Sequence, residues 1–181
     1  MENKLVEMLR QVLKDSHETL EATMQGVTDE VAHYKPAGKA LPIVAAYTHV
    51  LVSEDMLLSS MVNKTKSLLE QGWAEKNGLS AQHPAMDADW EKNFAEWSTT
   101  VKADLPKLKE YANTVYAQSD EFFAGLKDQD LWDKKVDLSM WGLGEWPLIR
   151  FIMRILISHV DSLTGEISAA KGLQGLKGYP F

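Results

Sequence analysis

Apolar residues recur at helical spacing in four long stretches of the chain, separated by segments broken by glycine, proline and charge. Over residues 2–25, Leu5, Met8, Leu9, Val12, Leu13, Leu20 and Met24 fall on one side with Glu, Lys and Arg opposite, which predicts an amphipathic helix. Gly26 ends that pattern, and Pro36, Gly38 and Pro42 punctuate the loop that follows. A second helix is predicted from Pro42 to about Val62. One of its faces carries Val44, Tyr47, Leu51 and Leu58; the other carries mostly small residues, Ala45, Ala46, Ser53 and Ser60, around His49. Small side chains let a neighbouring helix come close, so His49 is expected in a tight seam between helices.

Residues 63–88 read as a long irregular connection, interrupted at Gly72, Gly78 and Pro84, and its length implies a crossover rather than a tight hairpin. His83 precedes a proline, which favours extended backbone, and is expected at the surface. A third helix follows, with Trp90, Phe94, Trp97, Val101, Leu108 and Val115 in register, Asp87 or Asp89 as N-cap, and an end near Gly125. Pro106 lies inside this pattern and is expected to kink the helix or divide it. The segment DLWDKKVDL alternates only partly and has no obvious partner, so it reads as loop. Trp132, Trp141 and Trp146 are expected to cover one end of the fold or to line a pocket mouth, with Gly142 and Gly144 marking a candidate lid.

The last stretch, residues 147–181, opens with Pro147 in a first-turn position and closes its helix at Lys171 and Gly172. Leu148, Ile152, Leu156, His159, Leu163 and Ala170 share one face, which reads as core with His159 pointing into it. Four helices, long connections and no convincing strand predict an all-α four-helix bundle, forming one domain over residues 1–181.

Composition narrows the function. Hydrophobic residues make up 45% and charged residues 25%, the balance of an ordinary globule rather than a disordered chain. The net charge of -7, with no dense Lys/Arg cluster, argues against a nucleic-acid partner. Cysteine is absent, which removes disulfides, thiolate ligands and a cysteine nucleophile. No signal-peptide core is seen, and no apolar run reaches the ~20 residues of a membrane span, so a cytoplasmic protein without membrane contact is expected.

No dinucleotide, P-loop, zincin or nucleophile-elbow motif occurs. Carboxylate pairs such as Glu18 with Glu21 and Glu54 with Asp55 read as members of solvated charge runs. His49 and His159 remain, each on a face expected to turn inward. Bundles build metal sites from side chains on facing helices, but a catalytic zinc-type site normally uses three protein ligands. Around His159 the helical positions that would supply another ligand are Ser162 and Leu163. Either histidine equally reads as a half-buried ring bonded to a neighbour.

The C-terminal SHVDSLTGEISAAKGLQGLKGYPF resembles the final-helix signature of the DinB/YfiT-like superfamily, in which a His-x-x-x-His pair precedes a small-Gly-Glu-Ile step. His49, in AAYTHVLVSED, occupies the place of that family's second-helix histidine. The resemblance implies a four-helix-bundle metalloenzyme with one divalent ion of Ni or Zn type on three histidines, often a homodimer, some members being thiol-dependent transferases. Leu163 stands where the third histidine would fall, so the ligands carried over are His49 and His159. Two expectations follow. One is a metal-dependent transferase or hydrolase of a small molecule with a two-histidine site. The other is a non-catalytic bundle whose site is vestigial, acting as a small-molecule-binding or dimeric interaction protein.

Overall fold

The computed structural model describes residues 3–181; residue 2, where the first helix is expected to begin, lies outside them. Helix α1 spans Lys4–Met24 and buries Val6, Leu9, Leu13 and Leu20. Met8 and Val12, on the predicted apolar side, are exposed, so the covered stripe is narrower than the sequence pattern. The first turn of α1 is closed from across the chain: the Asp128 carboxylate accepts from the Leu5 and Val6 amides at 3.3 and 2.9 Å. That satisfies two of the donors a helix start leaves open.

The first connection holds a short helix, α2 (Asp29–His33), whose N-cap Thr28 accepts from the Val31 amide. Helix α3 runs over Ile43–Met56 and continues into a wide, i→i+5 turn at Leu57–Asn63. The crossover that follows contains two 3-10 turns, Leu69–Gln71 and Trp73–Glu75. Pro106 divides the third predicted helix: α4 is Trp90–Thr100 and α5 is Leu105–Ala124, with the proline in the first turn of α5. There its missing N–H costs nothing, and the Asp104 side chain caps the Lys107 amide at 3.2 Å.

Beyond α5, a short helix α6 (Asp130–Asp133) leads into a two-stranded antiparallel hairpin, β1 (Lys135–Asp137) with β2 (Glu145–Pro147). The segment expected as loop therefore has a partner. That partner ends at Pro147, the residue expected in the first turn of a helix, and the helix begins at Leu148. Val136 is buried while Lys135 and Asp137 are exposed, the alternation that a strand with one covered face needs. Helix α7 (Leu148–Phe151) passes through a second wide turn, Ile152–Ile157, into α8 (Ser158–Gly172).

Helix α3 packs against α8 and α5, and α1 packs against the same two, so the long helices form a closed four-membered ring. Its core includes Leu20, Val50, Leu51, Leu108, Val115, Phe151 and Ile167, each with no exposed surface. The C-terminal end of α1 is tied to α8 by Lys171, whose Nζ donates to the Thr23 and Gln25 carbonyls at 2.6 and 2.9 Å. Among the described residues, no helix is long and apolar enough to cross a membrane.

Candidate metal centre

Three imidazoles meet at one end of the seam between α3 and α8. His49 comes from the small-residue face of α3, where close helix approach leaves little room for water. His159 is the second residue of α8, directly after the wide turn at Ile152–Ile157. The third is His83, from the crossover. Its pre-proline position makes it extended as expected, yet it is half-buried against His49 rather than at the surface. The crossover is pinned nearby, because Trp97 Nε1 donates to the Ala81 carbonyl at 3.0 Å. Neither helical spacing nor a motif links residue 83 to residue 49; the signal available was a histidine in a long connection flanked by aromatic helix positions.

The hydrogen bonds fix the tautomers in sequence. The Pro84 carbonyl can only accept, so His83 Nδ1–H donates to it at 3.0 Å. In a neutral ring His83 Nε2 is then an acceptor, and His49 Nδ1–H donates to it at 2.9 Å. Ser53 Oγ is a further neighbour of His49 Nδ1, at 3.3 Å. His49 Nε2 therefore carries a lone pair, directed at His159 Nε2 3.3 Å away. Aromatic rings enclose the group: Phe94 and Trp90 lie 4.9 and 5.8 Å from the His49 ring, and Trp97 packs edge-on against His83 at 4.9 Å.

That enclosure lowers the basicity of all three rings. Burial, then the neighbouring His159 and His83, pushes the His49 pKa down to about 3. Burial brings His83 down to about 4 against the opposing effect of its Pro84 bond. His159 is also lowered by burial, with the Glu54 carboxylate pulling the other way. At neutral pH the cluster is uncharged, the state an imidazole must be in to ligate a metal.

His159 does not point into the core as expected. It is half-buried and, with His49 and His83, lines a cavity of about 740 Å3 bounded by α3, the crossover, the β1–β2 loop and the turn before α8. Both wide turns contribute to the wall, through Leu57 and Met61 in one and Ile155 in the other. Such turns insert an extra residue into a helix and re-aim its side chains, and they recur at functional sites. Of the three tryptophans expected at a pocket mouth, Trp141 is there; Trp132 is exposed, and Trp146 lies under the Arg150 guanidinium at 3.7 Å. Leu163 is buried and takes no part in the cavity wall.

A sequence profile of the DinB superfamily matches residues 13–162, most of the chain and all three histidines. The chain belongs to the DinB superfamily. A crystal structure titled as a conserved protein of a locus from Enterococcus faecalis has the same fold. It is 23% identical, with a TM-score of 0.74 over 92% of this chain and 95% of that one. No curated protein matches the chain. The bundle thus has the DinB architecture, with His49 on α3 and His159 on α8.

A second correction concerns the carboxylates of this DinB bundle. Glu54 and Asp55, expected among solvated charges, are almost wholly buried, at 1% and 0% exposure. Glu54 accepts from Ser119 Oγ at 2.5 Å and pairs with His17 Nε2 at 2.8 Å, joining α3 to α5 and α1. Asp55 accepts from Tyr111, Ser59 and two crossover amides. Glu21 likewise accepts from Tyr47 and Tyr116, at 2.8 and 2.7 Å.

Among the described residues, no set of three or more His, Cys, Asp or Glu side chains stands as a ready cage for an ion. The donor set does suit a two-nitrogen site. Ligand nitrogens on one tetrahedral zinc-type ion stand roughly 3.4 Å apart, given metal–nitrogen distances of about 2.0–2.1 Å. The His49 and His159 Nε2 atoms are separated by 3.3 Å.

Proposed function

We propose that this DinB-superfamily protein is a divalent-metal-dependent enzyme, a transferase or hydrolase of a small molecule, with His49 and His159 as the protein ligands. The observation that carries the reading is the pair of neutral Nε2 atoms 3.3 Å apart on the wall of a 740 Å3 cavity. An ion of Ni or Zn type there would supply Lewis acidity toward an oxygen, nitrogen or sulfur donor of the substrate.

The chain's own residues do the rest. His83 Nε2 accepts a hydrogen bond from His49 Nδ1–H and so leaves the lone pair on His49 Nε2, the role an outer-shell partner plays for a ligating imidazole. The Pro84 carbonyl fixes His83 in turn. Trp90, Phe94 and Trp97 wall the cluster from water on one side, which leaves the cavity as the approach for a substrate. Because only two nitrogens are supplied, an ion held there would keep coordination positions for water or substrate, which the cavity can admit.

A second reading is favoured by one observation: the three imidazoles already satisfy one another, and a vestigial cluster of this kind needs no ion to be stable. The bundle would then bind a small molecule without catalysing its conversion. Bound Ni, Zn, Mn and Fe measured per chain on untagged protein separates the two. The metal reading expects near-unit occupancy, lost in His49→Ala and His159→Ala, and an affinity about 10–100-fold weaker in His83→Ala. Sub-stoichiometric metal that dialysis against each ion fails to raise would overturn it.

A further inference from the structure

The composition of the cavity wall restricts what can enter it. Half of the chain's eight methionines face it, Met56 and Met61 from α3 and its wide turn, Met86 from the crossover and Met140 from the hairpin loop. Methionine is unbranched and polarizable, so a wall built of it adapts to irregular apolar shapes rather than selecting a rigid one. Of the two tryptophans that line the cavity, Trp141 stands at the mouth, and Trp90, beside the histidines, has little free face to offer a ring. Trp90 is stacked on Phe94 at 4.8 Å and packed against His49 and His83. Apart from the histidines, the ionisable lining residues are Lys64 and Asp137. Both are exposed, the Asp137 carboxylate accepting from the Ser139 amide, so their charges stay in water at the edge of the cavity. In the metal-free protein a charge carried by a ligand to the neutral, half-buried histidines would be desolvated without a partner, which is costly. A volume of about 740 Å3 is ample for a molecule of drug size.

We infer that the cavity takes a neutral, flexible, largely aliphatic molecule, whose chain lies along the methionine wall with a single donor atom directed at His49 and His159. The placement of the donor rests on the metal-centre reading; the selection for an uncharged aliphatic body does not. The wall is open at its lip, where Met140 is 62% exposed and Met86 40%, so chains of different length can be accommodated.

The test uses Co(II)-loaded and metal-free protein at pH 8, titrated with 1-methyl-, 1-butyl-, 1-hexyl- and 1-octylimidazole. Visible absorption reports on the ion and tryptophan fluorescence on the cavity. The expected result is an affinity rising about fourfold for each added methylene, with 1-octanol competing in both forms and, in the metal-free form, octanoate at least tenfold weaker than 1-octanol. Met61→Asp removes the gain with chain length, and Met140→Asp, at an exposed position that leaves folding undisturbed, reduces it. Equal affinity for 1-methyl- and 1-octylimidazole overturns the inference while leaving the metal centre intact. Octanoate binding the metal-free protein as tightly as 1-octanol overturns the requirement for a neutral ligand. A chain-length gain with no change in the Co(II) spectrum supports the aliphatic cavity and overturns the metal reading alone.

Discussion

Glu54 is a carboxylate with 1% of its surface exposed, held between His17 Nε2 at 2.8 Å and Ser119 Oγ at 2.5 Å. A buried group of this kind is stabilising only while its partners remain, and removing one side of such a pair typically costs roughly 3–5 kcal/mol. Glu54→Ala is therefore expected to lower the urea midpoint by that scale without changing the m-value. Glu54→Gln should cost less, since its side-chain amide keeps the volume and its carbonyl still accepts from Ser119. Equal loss in the two variants would show that the carboxylate itself, and not a neutral acceptor of the same volume, is what Glu54 contributes. The sequence hid this residue because Glu54 and Asp55 stand side by side in a charged stretch, and their partners come from residues 17, 68, 111 and 119. His49 and His159 were legible from their helical faces and the family resemblance. His83 was not, because it reaches the cluster through crossover packing, for which a single sequence has no periodicity.

At the scale of elements, Asp55 performs for the crossover what Asp128 performs for α1. Its carboxylate accepts from the Leu68 and Leu69 amides at 2.9 and 3.3 Å, from Tyr111 Oη at 2.9 Å and from Ser59 Oγ at 3.2 Å. It thereby anchors the segment that carries His83 to both α3 and α5. Losing it leaves two amides without an acceptor, at about 1–3 kcal/mol for a buried donor. Asp55→Ala should therefore speed amide hydrogen exchange at Leu68 and Leu69 by at least about tenfold while α1 and α8 keep their protection. Unchanged exchange at those two amides would remove the clamp from the account. Elements of strong period were legible, including the division of the third helix at Pro106. The hairpin was not, because strands of three residues carry almost no pattern and Pro147 reads equally as strand end or helix start. The wide turns at Leu57–Asn63 and Ile152–Ile157 keep apolar residues at near-helical spacing, so nothing in composition distinguishes them from ordinary helix.

The whole molecule was legible as a bundle because α1, α5 and α8 each carry an apolar face and α3 is apolar nearly all round, and such helices have few ways to be covered together. What that reading could not supply is the electrostatic state of the seam, which depends on how deeply the rings are enclosed. It sets a pH dependence for the metal-free protein. His49 and His83 have native pKa values near 3 and 4, below the ordinary value of about 6.5 for an unfolded histidine, and His159 is shifted in the same direction. Between those values the unfolded chain binds more protons than the native one, so stability is complete above about pH 6.5 and falls as the pH drops toward 4. The slope is at most about 1.4 kcal/mol per pH unit for each histidine. Asp55 acts in the opposite sense, since burial raises its pKa against four opposing hydrogen bonds, and it offsets part of the loss on the acidic side. Urea midpoints measured from pH 7.5 to 4.5 should fall steadily below pH 6.5. In the His49→Gln/His83→Gln variant the fall should be markedly shallower, even if that variant is less stable at neutral pH. A wild-type midpoint that stays flat to pH 4.5 would mean that the rings take up protons in the folded state, and that the seam is far wetter than its packing against Phe94 and Trp97 implies.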